Sequence, residues 1–92
     1  MGSKYEFSIN ATLDLHGMHK AEALAELETF LDDAIDKGYT LVRVITGKGI
    51  HSHGGETLRE IVPGWLMAHG YTYRPAKRSQ GGDGAFLIPL TI

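Results

Sequence analysis

From Leu13 to His16 apolar and polar residues alternate, and a period of two marks a strand with one buried face. Asp14 and His16 leave one side of such a strand while Leu13 and Leu15 point to the other, toward packed helices. Beyond Gly17 the period changes. Ala23, Leu24, Leu27, Phe30, Leu31, Ala34 and Ile35 recur at steps of three and four, which predicts one helix from about His19 to Lys37, stopped by Gly38. The stretch "TLVRVIT", residues 40–46, is apolar or β-branched at nearly every position and predicts a central strand covered on at least part of both faces. Strand, helix and strand in that order imply a parallel pair joined by a right-handed crossover.

Residues 47–56, "GKGIHSHGGE", hold too much glycine for regular structure. A second helix is expected to begin near residue 56: Thr57 and Glu60 stand at capping-box spacing, and Leu58, Ile61, Val62, Trp65 and Leu66 form a helical stripe. Pro63 lies too deep for the harmless first position and predicts a kink or an irregular first half. Gly70 ends this helix. "YTYRP" (71–75) and "AFLIPLTI" (85–92) read as two further strands joined by a loop over 76–84, with Pro89 at an edge or strand end. The predicted layout is βαβαββ.

Ninety-two residues suffice for one domain with a modest core. The opening "MGS" reads as an expression scar, so residues 1–10 are taken as an extension and 11–92 as the domain, a piece of something longer. No apolar run approaches the length of a membrane span, and no secretory h-region opens the chain, so a cytoplasmic location without membrane partners is expected. The absence of cysteine excludes disulfides, thiolate catalysis and cysteine-ligated zinc. Chemistry is left to carboxylates, imidazoles, lysine, hydroxyls and backbone amides.

Charge is unevenly placed. Glu22, Glu26, Glu28, Asp32, Asp33 and Asp36 crowd the first helix against Lys20 and Lys37. Residues 39–92 carry six basic side chains against three acids, a net of +3 within a chain of net charge -2. Such a run is usually only a solvated face, and a local basic surface on a mildly acidic chain can still attract phosphate.

In a parallel crossover unit the carboxyl ends of successive strands share one sheet edge, which brings Asp14, His16 and Gly17 beside Thr46, Gly47, Lys48 and Gly49. An acid and an imidazole then stand where a glycine loop and a helix start can hold an anion. Asp14 as a helix cap and His16 as a structural histidine remain open readings, as do turn glycines in "TGKG", which lacks P-loop spacing. His16, His19, His51, His53 and Asp14 offer metal donors, but no spacing matches a specific zinc pattern.

Four segments in order, "LDLHG" (13–17), "VITGKG" (44–49), "HSHGGETLRE" running into "VPGWL" (51–66), and "GGDGAFLIPL" (81–90), resemble the Smr domain, the small MutS-related family. The resemblance implies a two-layer α/β sandwich with a four-stranded mixed sheet and two helices, like the C-terminal domain of bacterial translation initiation factor three. It also implies endonuclease activity on DNA or RNA, with Asp14 and His16 at the positions used in cleavage and "TGKG" as the second signature. Two positions depart from the family pattern: His19, where many members place Ser or Thr, and Thr46, where many place His.

Phosphodiester cleavage needs a deprotonated nucleophile, stabilised phosphoryl oxygens and a protonated leaving oxygen. The expected roles are His16 for proton transfer, Asp14 as its orienter or a metal ligand, and Lys48 with the Gly47 and Gly49 amides on the phosphate. His51 or His53 would be the second acid or base. A divalent cation, magnesium or manganese, is left open, more so for DNA than for RNA, where the 2′-OH can attack. Arg74, Lys77 and Arg78 are candidates for backbone contacts; Tyr71 and Tyr73 are better explained by packing than by base stacking. The alternative is a nucleic-acid or ribosome-binding module without turnover.

Overall fold

The computed structural model describes residues 9–47, 57–77 and 82–90, with Asp83 described in its backbone alone. In chain order the elements are β1 (Ala11–Asp14), α1 (Lys20–Asp36), β2 (Leu41–Ile45), α2 (Leu58–Ala68), β3 (Arg74–Pro75) and β4 (Ala85–Pro89), the last entered through a single 3-10 turn at Gly82–Gly84. This is the βαβαββ layout of the sequence. The sheet runs β1-β2-β4-β3: β1 and β2 are parallel, and β4 lies antiparallel to both β2 and β3.

Between Lys20 and Asp36 there is no glycine or proline, and Ala, Leu and Glu dominate, so propensity and pattern agree on a helix. Ala23, Leu27, Leu31 and Ala34 form its buried stripe. Its end is a Schellman motif: Gly38, at φ +77°, donates to the Ile35 carbonyl, and Tyr39 donates to Ala34. Gly70, at φ +85°, closes α2 the same way, with Gly70 bonded to Met67 and Tyr71 to Leu66. At the start of α2 the capping box is complete, Thr57 accepting from the Glu60 amide and the Glu60 carboxylate accepting from Thr57 N–H.

Both helices pack on one side of the sheet, where Leu15, Val42, Val44 and Ile88 meet Leu27, Leu31, Val62 and Leu66. The opposite side carries a smaller cluster of Leu41, Ala76, Ala85 and Leu87, joined by Ile9 and Ile45. β2 is therefore apolar toward both faces, as its composition predicts. Asn10 fixes the start of the β1–β2 pair, its amide oxygen accepting from Thr40 N–H at 2.8 Å and Leu41 N–H at 3.1 Å.

Four expectations are corrected. β1 starts at Ala11 and ends at Asp14, so His16 sits in the turn beyond the strand. Pro63 does not interrupt α2, which stays helical from Leu58 to Ala68. Proline's φ suits a helix, and the missing N–H removes only the bond owed to the Arg59 carbonyl. β3 shrinks to Arg74–Pro75 because Tyr71 N–H is spent on closing α2 and Pro75 cannot donate to a ladder. β4 is an internal strand that stops at Pro89, which lies at its end as expected, and Leu90 N–H then bonds the Thr40 carbonyl.

Candidate functional site

The site is built where β1 and β2 end together. Asp14 is paired in register with Ile45, and Leu15 N–H still reaches the Ile45 carbonyl at 2.7 Å before the chain turns. Leu15 is fully buried, which pins the turn to the core. Met18 N–H closes it on the Leu15 carbonyl at 3.0 Å, with Gly17 at φ +82° in the third position, where a side chain is disfavoured. The order "DLHG" thus has a physical reading: Asp14 outward on the last strand residue, Leu15 inward as anchor, His16 outward on the turn, Gly17 for the backbone it requires.

Asp14 and His16 are locked together. One carboxylate oxygen, Asp14 Oδ1, accepts the His16 backbone N–H at 3.1 Å and lies 2.6 Å from His16 Nδ1. The bonds from the His16 ring and backbone hold the Asp14 carboxyl below its ordinary range, so it stays ionised. An ionised carboxylate only accepts, so Nδ1 must carry the proton, and in the neutral ring Nε2 is the unprotonated nitrogen. Both side chains are open to solvent, 69% for His16 and 48% for Asp14.

Three segments converge on this pair. A Cβ placed on Gly47, itself at φ +82°, would lie 3.3 Å from His16 Cβ, so the backbone just after β2 passes directly against the histidine at this residue. A Cβ on Gly84 would come within 3.0 Å of the Gly47 carbonyl carbon. The Gly84 carbonyl accepts from the Thr46 and Gly47 amides at 2.7 and 3.1 Å. Thr46 is the one buried polar side chain among the described residues, and its hydroxyl lies 3.0 Å from the Gly47 carbonyl and 3.3 Å from that of Gly84. Thr46 and Gly84 thus clip Gly47 in place. Sequence reasoning placed Thr46 beside the pair without giving it this role and did not place Gly84 there; the signal for Gly84 was the cluster "GGDG" just before the last strand.

Of the expected site residues, Asp14, His16 and Gly47 are brought together. Arg74 is exposed on β3, three strands across the sheet from β1, and Lys77 follows it, its carbonyl accepting from Gly82 N–H at 2.9 Å. These two belong to the far side of the sheet rather than to the rim. Lys48, Gly49, His51, His53 and Arg78 lie outside the described residues. His19 precedes α1 without capping it through its side chain, in keeping with the departure at that position. Tyr73 packs edge-on against Phe86 at 5.6 Å and Tyr71 stacks near Trp65, both on the helix side of the sheet.

With this geometry in place, comparison with known proteins is decisive: residues 13–91 match the Smr domain family. The chain belongs to that family. Its fold superposes on the crystal structure of the human small-MutS related domain with a TM-score of 0.71 at 32% identity, covering 86% of this chain and 99% of that one. The Smr domain of Thermus thermophilus MutS2 gives 0.73 at 26% identity over 89% and 99%. In sequence it is 39% identical over 84 residues to Endonuclease MutS2 of Fusobacterium nucleatum, and 40% identical over 83 residues to an uncharacterised protein of Treponema pallidum. The matched regions span 89% and 87% of this chain but only 10% and 41% of those proteins, respectively, so the Smr domain is one part of larger relatives. Among the described residues no helix is long and apolar enough to cross a membrane.

Proposed function

We propose that this Smr domain cleaves nucleic-acid phosphodiester bonds, with His16 Nε2 as the group that takes the proton from the attacking oxygen. The observation that carries the reading is the 2.6 Å pairing of Asp14 Oδ1 with His16 Nδ1. A carboxylate on one imidazole nitrogen fixes the tautomer, turns the basic nitrogen outward and stabilises the imidazolium formed on proton transfer. Supporting it is the MutS2 relative named as an endonuclease.

On RNA the step balances without further groups. The 2′-oxygen gives its proton to Nε2 and bonds to phosphorus, the bond to the 5′-oxygen breaks, and that oxygen is protonated, by His51 or His53 or by water. The product ends are a cyclic phosphate and a 5′-hydroxyl. On DNA the attacking oxygen is water's. Lys48 and the amides of Gly47 and Gly49 would hold the phosphoryl oxygens. The donors described do not fit a divalent ion: no three His, Asp or Glu side chains among the described residues come together, and Asp14 Oδ1 is already committed to His16. No step is therefore assigned to a metal.

The test is incubation with labelled single-stranded RNA, duplex DNA and a 2′-deoxy analogue, with and without chelator. Wild type is expected to cut at least one, and His16→Ala and Asp14→Asn to bind it without cutting. The exposure of both Asp14 and His16 favours a second reading, a nucleic-acid-binding module whose pair is too solvated for useful turnover. Equal binding by all three proteins with no cutting by any would establish it.

A further inference from the structure

The helices account for the burial of one sheet face and not of the other. α1 and α2 both pack on the side of Val42, Val44 and Ile88. On the opposite side stand Leu41, Ala85 and Leu87, and no helix among the described residues lies over them. An uncovered sheet face leaves its side chains in contact with water. Yet Leu41 is 3% exposed, and Ala85 and Leu87 are 1% exposed each. Arg43, paired with Leu87, is drawn toward the β1 edge, where its Nε donates to Thr12 Oγ1 at 3.2 Å. A further layer is required to keep water from this face.

The path of the chain into β1 points to the source of that layer. Strand alternation places Ala11 and Leu13 toward the helices and would place Ile9 there as well. Ile9 instead packs with Leu41, Ala76, Ala85 and Leu87. The change of side occurs at Asn10. Its backbone N–H still reaches the Leu41 carbonyl at 2.8 Å, while its side chain takes the Thr40 and Leu41 amides, and the chain leaves the ladder toward the second face. Eight residues precede Ile9, and in the last five Tyr5 and Phe7 alternate with Lys4, Glu6 and Ser8. Extended chain of that period has one apolar side, which Ile9 shares. The direction in which Ile9 faces therefore sets the direction for Phe7 and Tyr5.

We propose that the second face of the sheet is the docking surface for the chain's own residues 4–8, which lie outside the described residues, with Tyr5 and Phe7 seated on Leu41, Ala85 and Leu87. The reach suffices: five extended residues span about 17 Å, and the four strands span about 14 Å from first to last. Two aromatic side chains supply the apolar area that small and branched side chains beneath them need. The other segments outside the described residues supply less. Residues 48–56 hold one large apolar side chain, Ile50, residues 78–81 hold none, and residues 91–92 hold Ile92. The segment before β1 is then a third layer of the domain, which starts near Lys4 rather than at Ala11. This layer is independent of the chemistry proposed at His16.

The experiment is NMR of the full chain with labelled leucine methyls and phenylalanine rings. Nuclear Overhauser contacts are expected from the Phe7 ring to the Leu41 and Leu87 methyls, which its ring current should shift upfield. Phe7→Leu, which keeps an apolar side chain, should lose that shift. Tyr5→Ser with Phe7→Ser should lower the urea midpoint, whereas Lys4→Gln and Glu6→Gln, on the outward side, should leave it unchanged. If the double serine variant is too unstable to study, the methyl shifts of Phe7→Leu decide. Leu41 and Leu87 methyls that do not move in Phe7→Leu overturn the proposal. So do contacts to them from Ile50 or Ile92 in place of Phe7, or contacts from Phe7 that vanish on dilution, which would make a second copy the occupant.

Discussion

Gly84 and Gly47 approach so closely that no side chain fits between them: a Cβ on Gly84 would stand 3.0 Å from the carbonyl carbon and 3.2 Å from the Cα of Gly47. The atoms in the way are backbone, which cannot rotate aside. Gly84→Ala must therefore displace Gly47, which bears on His16, or strain it. The expected cost is about 1–3 kcal/mol, the range for overpacking a closed site, read as a lowered urea midpoint. An unchanged midpoint would show that the clip is not rigid.

Gly47 is constrained in a different way. Its φ of +82° disfavours any L side chain, and a Cβ placed there would lie only 3.3 Å from His16 Cβ. Gly47→Ala should cost about 1–2 kcal/mol from backbone conformation alone. It should also move the His16 ring resonances in an NMR spectrum, which a purely local backbone effect would leave in place.

Leu15 and Thr57 test the scaffold. Leu15 is wholly buried between the two outward-facing site residues, so Leu15→Ala should lose about 2–5 kcal/mol and loosen the Asp14–His16 turn with it. Thr57 accepts from the Glu60 amide, and Thr57→Ala should lose about 1 kcal/mol, within the usual range for an N-cap. Denaturant titration of both variants gives the ordering, with Leu15 the larger.

The Asp14–His16 pair has a pH signature. Asp14 is held below the ordinary carboxylate value by the His16 ring bond first and its backbone N–H second. A depressed folded-state value means that the pair's stabilisation is complete above the unfolded value of about 3.9 and is lost as pH falls through the lower folded one. Carboxyl NMR titration should place the Asp14 midpoint below the ordinary range in wild type and nearer to it in His16→Ala. An unshifted wild-type midpoint would remove the evidence for the pair.

The parts of this molecule that follow from local rules were readable in the chain. The α1 stripe, the Thr57–Glu60 box, the glycine stops at 38 and 70 and the outward acid and imidazole flanking Leu15 each depend on residues within a few positions of one another. What was not readable depends on distant partners. Thr46 shows its purpose only once Gly84, thirty-eight positions away, is brought beside it by β2–β4 pairing. Arg43 was hidden inside an apolar strand, and its bond to Thr12 exists only once β1 and β2 are paired. The brevity of β3 likewise follows from the closing turn of α2, a tertiary commitment of Tyr71 that strand propensity does not register.

The most direct test of the account is single-turnover cleavage by wild type and His16→Ala on whichever labelled substrate wild type cuts, with the dissociation constant measured on the same samples. Loss of a positioned proton acceptor should slow cleavage by about 10²–10⁴-fold and leave binding within about twofold. A His16→Ala protein that cuts at the wild-type rate, or one whose slower cutting is matched by weaker binding, would contradict it.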